Sequence, residues 1–217
     1  YDYTGSDLLG TNGRDYSGAY SKDTYYYKGN KNLDNIAAYM WNYDTNVSSS
    51  GSNNWATSEL NKINLNTNYW NSLGSKWQDM ITSTIWILGG MTSSSNSVKA
   101  FYEGERNNSG YGSNPTTYTD EIGLMYPSDY GYASDPENWQ NKLLSDDSSW
   151  IYMGLWEWAI TPAISGRNTS YRIDSDGAAA SISTKSTYAI RPVFYLKSNV
   201  TLLSGDGSNS NPFRLAI

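Results

Sequence analysis

The clearest periodicity in the chain lies between residues 57 and 81. Leu60 and Ile63 stand three apart behind Thr57 and Ser58, either of which can cap a helix by accepting backbone N–H groups, so a first helix is predicted there. Trp70, Leu73, Trp77, Met80 and Ile81 then recur at three- and four-residue intervals, which places them on one face of a second helix, broken or softened at Gly74. The next run, Thr84-Ile85-Trp86-Ile87-Leu88, is apolar at successive positions and bounded by Gly89-Gly90. That pattern predicts a central strand buried on both faces.

On either side the pattern is one of strands. Upstream, Tyr25-Tyr26-Tyr27-Lys28 reads as an aromatic strand ended by Gly29-Asn30, Leu33 to Trp41 as a short helix or strand, and Asp44 to Asn54 as a loop. Downstream, strands are predicted at Val98 to Glu105, Ile122 to Tyr126, Trp156 to Thr161, Tyr171 to Asp174, Ala179 to Ile182, Ile190 to Leu196 and Phe213 to Ile217. Asp176-Gly177 is a hairpin turn signal between the fourth and fifth of these. Two helices cannot cover so many strands as a doubly wound fold would, and no low-complexity linker divides them. The expected class is therefore α+β with an antiparallel sheet, a single domain over 22–217. Residues 1–21, rich in Gly, Asp, Ser and Tyr, form a peripheral arm, irregular or an added edge strand.

Composition narrows the function. Nine Trp and 20 Tyr stand beside three Phe, so the core must be aromatic with polar tips that need hydrogen-bond partners. Only 17% of residues are charged, against 32 Ser and 23 Asn, so solubility comes from uncharged polar groups, as on an exported protein. A net charge of −6 without clustered Lys and Arg opposes nucleic-acid binding. Without cysteine there are no disulfides, thiolate nucleophiles or Cys-ligated metals. Without histidine the usual general base and every Ser-His-Asp triad are missing. No apolar run approaches the roughly 20 residues that a membrane-spanning helix needs. The chain opens at Tyr1 without Met, as a processed or trimmed chain would.

Several residues carry candidate chemistry beside plainer readings. Trp156 and Trp158, two apart on a strand, share a face suited to stacking on a sugar ring, or pack in the core. Arg167, Asn168, Ser170, Tyr171 and Tyr188 lie in a Ser-, Asn- and Tyr-rich stretch that suits a recognition face, or forms a solvated hairpin. Asp174, Asp176 and Gly177 look like the opening of a calcium loop but lack its spaced oxygen ligands, so a turn is expected and no metal or cofactor. Glu103 and Glu105, two apart on a predicted strand, could pair as in a carboxylate glycosidase, or line a solvated face. Arg191 is expected to anchor a carboxylate such as Glu157 within the fold.

Five segments taken in order carry a resemblance. They are Ser58 to Thr67, Trp77-Gln78-Asp79 with Gly89-Gly90, the run Ile122-Gly123-Leu124-Met125-Tyr126-Pro127-Ser128-Asp129-Tyr130-Gly131-Tyr132-Ala133, Trp156-Glu157-Trp158 leading to Thr161-Pro162, and Arg191 to Ser198 with Ser204-Gly205-Asp206-Gly207. Over residues 55–217 the chain resembles the C-type-lectin-like domains of bacterial surface and pilus-associated proteins. The resemblance implies two helices beside a small antiparallel sheet, long loops, and N- and C-terminal strands that pair near each other. It also implies export to the cell surface and binding of a glycan or protein ligand on host or neighbouring cells, without catalysis. Calcium-dependent sugar binding is not implied, because only a scrambled Asp135-Pro136-Glu137-Asn138-Trp139 stands where that site's triplets would. The alternatives are a subunit of an extracellular fibre that self-assembles through residues 1–21, and a carboxylate-based glycosidase.

Overall fold

The computed structural model describes residues 20–27, 30–42, 51–93, 96–140, 149–208 and 210–217, with the backbone alone over 20–38 and at 138. The arm 1–21 expected from the sequence lies outside the described residues except at its last two positions, which begin a strand. No helix among the described residues is long and apolar enough to cross a membrane.

The expected α+β class holds: few helices accompany small, mostly antiparallel sheets. The main sheet has six strands in the order β1-β2-β10-β7-β8-β9. These are β1 (Tyr20–Tyr27), β2 (Asn30–Met40), β7 (Glu157–Pro162), β8 (Thr169–Ile173), β9 (Ala179–Ser183) and β10 (Thr187–Ala189). All neighbours are antiparallel except β10 and β7, which meet in parallel at the single pair Ala189↔Glu157.

Two indoles reinforce that short seam. Trp41 Nε1 donates to the carbonyl of Ala159 at 3.1 Å, and Trp158 Nε1 donates to the carbonyl of Tyr39 at 2.7 Å. Each end of β2 and β7 thus receives a bond from the other's tryptophan, with both side chains fully buried. Strand β7 has its carbonyls and amides free for this because its pairing with β8 slips between Trp158 and Pro162. Within the slip, Ala159 accepts from Trp41 and Ile160 N donates to Met125 O at 3.1 Å, so the backbone groups released from the ladder find partners.

The first helical stretch forms as expected. Ser58 Oγ accepts from Asn61 N at 3.1 Å, and a π-type helix Leu60–Tyr69 passes into an α-helical turn Trp70–Ser72. The chain then breaks at Gly74, whose φ of 75° suits glycine and ends the periodic face there. A short helix Ser75–Met80 follows, and Ile81 already belongs to strand β3 (Ile81–Thr82).

Two expectations need correction. Thr84 to Leu88 is neither central nor buried on both sides: β4 (Thr84–Ile87) pairs only with β5 (Thr117–Asp120), and Ile85 is 65% exposed. Its inward positions are Trp86 and Leu88, so the run alternates, and the outward Ile disguised that period. Val98 to Glu105 is a helix, Val98–Glu105, capped by Ser97, whose Oγ accepts from Ala100 N at 3.2 Å. Val98, Phe101 and Glu105 face inward at helical spacing, which overrides the strand propensity of Val, Phe and Tyr.

Four two-stranded pairings complete the fold. Besides β4–β5 they join β6 (Gly123–Leu124) to β11 (Pro192–Val193), β12 (Tyr195–Leu196) to β3, and β13 (Thr201–Ser204) to β14 (Arg214–Ala216). Gly123 lies under Trp86, where a Cβ would come within 2.7 Å of the indole. Among the described residues β1 pairs with β2 and β14 with β13, while β2 pairs antiparallel with β10 from the later part of the chain.

Asn53 holds the β7–β8 connection. Its Nδ2 reaches the carbonyls of Ala163, Gly166 and Thr169 at 2.8, 2.8 and 3.0 Å, and its Oδ1 accepts from Asn114 Nδ2 at 2.9 Å. Replacing Asn53 with Ala removes these contacts and leaves the Ala163 carbonyl without its side-chain donor, and equilibrium denaturation is expected to show a loss of roughly 1–3 kcal/mol.

Candidate functional site

The expected ion pair is present at the start of β7. Arg191 Nε donates to Glu157 Oε2 at 3.0 Å and Nη2 donates to Oε1 at 2.6 Å, a two-pronged contact onto a buried carboxylate. Burial pushes the Glu157 carboxyl above its ordinary range, and the guanidinium opposes that rise. The pair fixes the residues on either side of it, Trp156 among them.

Beside it lies an aromatic and cationic cluster drawn from three strands' ends. Arg172 on β8 stands opposite Trp158 on β7 in the ladder. Its guanidinium carbon lies 4.4 Å from the ring centre of Tyr188 on β10 and 5.6 Å from that of Trp156. Arg172 Nε donates to Asp174 and Nη1 donates to the Tyr188 hydroxyl. The Tyr188 ring meets Trp156 and Trp158 nearly edge-on at 6.0 and 5.0 Å. Trp158 closes this stack from inside, whereas Trp156 is 46% exposed. The result is an indole held in a fixed orientation at the surface, flanked by a guanidinium and a carboxylate that already satisfy each other.

The predicted site residues divide. Trp156 and Tyr188 come together in this cluster. Trp158, Ser170 and Tyr171 are fully buried, and their side chains form no part of a solvent-facing surface. Trp158 is engaged with Tyr39 and Tyr188, and Tyr171 packs against Phe101 with ring centres 5.3 Å apart. Arg167, exposed, and Asn168, half-buried, sit in the turn before β8, at the opposite end of that strand from Arg172. Arg172 and Asp174 were missed as members. The available signal was a charged residue inside an otherwise buried strand, with an opposite charge two residues on and therefore on the same face.

The Asp174-Asp176-Gly177 segment is the expected turn. Gly177 N donates to Asp174 O at 2.9 Å, Ala178 N donates to Asp176 Oδ1 at 3.1 Å, and Gly177 has a φ of 83°.

Glu103 and Glu105 do not form a pair. On a helix, residues two apart point about 200° from each other. Glu103 is exposed and meets Lys99 at 3.7 Å, whereas Glu105 is fully buried. Glu105 Oε1 accepts from Ser128 N at 3.2 Å and Thr161 Oγ1 at 3.4 Å, and Oε2 accepts from Ser128 Oγ and from Arg106 Nη1 at 3.3 Å. Arg106 is itself stacked between the rings of Tyr102 and Tyr126 at 4.2 and 4.6 Å. The Pro127–Tyr132 helix, which lies within the Ile122 to Ala133 run of the resemblance, is thereby pinned through Ser128 to the end of the Val98–Glu105 helix.

No protein-family model, curated protein or solved structure matches this chain.

Desolvation raises Glu105 to about 8, against the pull of Ser128 and Arg106. It also raises Asp120 to about 7, helped by the neighbouring Glu121. A carboxyl raised in the folded state keeps its proton while the unfolded chain releases one, so stability falls as pH rises from about 4.5 to 8. The contribution of both carboxyls is expected to be complete below about pH 4 and to be lost progressively as pH rises to about 8. Urea midpoints measured across that range should show the decline, and Glu105→Gln should flatten it.

Proposed function

We propose that the protein is a non-catalytic extracellular recognition module of the bacterial cell surface, and that it binds a neutral glycan on the face made by Trp156, Tyr188, Arg172 and Asp174. The observation that carries this reading is the exposed Trp156 ring, held edge-on by Tyr188 and flanked by Arg172. A fixed indole at the surface offers a flat apolar face to the axial C–H groups of a pyranose at little cost in side-chain entropy.

The charges nearby favour an uncharged ligand. Arg172 is paired with Asp174 and Arg191 with Glu157, so both guanidiniums beside this face already have carboxylate partners. Hydroxyls can donate to and accept from such groups, whereas a sialylated or sulfated ligand would need an unpaired cation.

Catalysis is not part of the reading. The chain has no histidine or cysteine, and Glu105, whose carboxyl is pushed up to about 8, is shut away behind Ser128 and Thr161. A C-type-lectin-like fold is the finer architectural proposal, supported by the capped helix after Trp55 and by the Ser128-anchored run beside the sheet. Exposure on the cell surface is supported by the wealth of Ser and Asn and the low proportion of charge.

Probing an array of neutral, sialylated and sulfated glycans and of matrix proteins with the purified domain tests the reading. The expected result is binding to a set of neutral glycans, little affected by 0.5 M salt and weakened at least about tenfold by Trp156→Ala. Ile85→Ala, on the separate β4–β5 ribbon, should leave binding unchanged. Binding confined to anionic glycans or to proteins, or binding indifferent to Trp156→Ala, would overturn it.

A further inference from the structure

Five residues among those described carry fully buried polar side-chain atoms without a hydrogen-bond partner: Asn42, Trp55, Ser170, Tyr171 and Thr184. Such groups are uncommon in native proteins, and each costs about 1–3 kcal/mol if left unpaired. Tyr171 lies apart, on the face of β8 that packs on Phe101. The other four stand on segments that come together where β2 leaves the sheet.

Asn42 N donates to Thr184 O at 3.1 Å, and Thr184 N donates to Asn168 O at 2.9 Å, which brings the end of β2, the turn after β9 and the start of β8 together. Ser170 pairs with Ile182, and Thr184 follows Ile182 by two residues, which puts the two hydroxyl residues on the same side of this hairpin. The chain at Gly51 closes over the group, since a Cβ there would lie 2.6 Å from Thr184 Oγ1 and 3.3 Å from Asn42 O. Trp55 joins from the side, its ring 5.1 Å from that of Trp41, the neighbour of Asn42.

The chemistry of the four groups identifies what they would hold. Trp55 Nε1 and Asn42 Nδ2 are donors, Asn42 Oδ1 is an acceptor, and the Ser170 and Thr184 hydroxyls are both. A cation would satisfy only the acceptors and an anion only the donors. Water satisfies both kinds, and buried waters characteristically make about three hydrogen bonds to groups of this sort. We propose that Asn42, Trp55, Ser170 and Thr184 form an internal hydration site whose long-lived water ties β2 to the β8–β9 hairpin.

The proposal does not depend on the glycan reading, and its test needs no ligand. Water-selective NMR on the wild-type protein should give cross-peaks of a long-lived water at the amides of Asn42 and Thr184. Thr184→Val and Ser170→Ala remove one hydroxyl each at nearly constant volume. If water bridges these groups, both variants melt at lower temperature and lose or weaken the cross-peaks. If the groups are simply orphaned in a dry space, an apolar replacement relieves them. Absent cross-peaks in the wild type, or an unchanged or raised melting temperature in both variants, would therefore overturn the proposal.

Discussion

The exchange of indole hydrogen bonds between Trp41 and Trp158 is the constraint on which the sheet depends. Strand β10 lies between β2 and β7 but has only three residues and a single ladder pair with β7. The ladder alone is too short to hold the two halves in register. By bonding each other's backbone from opposite sides, the two tryptophans fix β2 against β7 across 118 and 119 residues of sequence. The same device recurs elsewhere. Trp86 Nε1 donates to Asp120 O at 3.1 Å, and the Tyr126 hydroxyl accepts from Ile87 N at 3.0 Å while donating to its carbonyl at 2.9 Å. An aromatic core rich in Trp and Tyr and poor in Phe is thus a core in which side-chain tips take over part of the backbone's bonding.

That arrangement explains which features could be read from the residues and which could not. Local chemistry was legible. The Ser58 cap, the break at Gly74, the Asp176-Gly177 turn and the contact of Arg191 with Glu157 each follow from a residue type whose options are few. The burial of aromatic residues was not legible to the same degree, because an indole or phenol can face water or the core with equal propriety. Trp156 and Trp158 differ by two positions and share Tyr188 as a neighbour, yet one is exposed and the other sealed. The difference comes from Tyr39, contributed by a strand more than a hundred residues away. The Val98–Glu105 helix was hidden because Val, Phe and Tyr favour strands in isolation, while Ser97 and the inward spacing of Val98, Phe101 and Glu105 decide otherwise.

The candidate face draws on the same economy of parts. Its geometry rests on two arginines that are each committed to a carboxylate, so neither guanidinium is left to steer a ligand from a distance. Recognition on such a surface must come from shape and short-range hydrogen bonding after contact, with association rates set mainly by diffusion and orientation. The Glu105 cluster stands on the other side of this logic. It lies inward, sealed by Ser128 and Thr161, and joins the two helices that pack behind the sheet.

The seam between β10 and β7 also sets how the domain would respond to load. Strands joined by a full ladder share a shearing force over many bonds, whereas here one ladder pair, two indole bonds and a few side-chain and turn contacts bridge the halves of the sheet. A pull that separates β2 from β7 would concentrate on two tryptophan side chains, and because each ring is buried, neither bond can yield without opening the core around it. The sheet is therefore divided mechanically along a line that its secondary structure alone would make weak, and its resistance there is that of the packed interior.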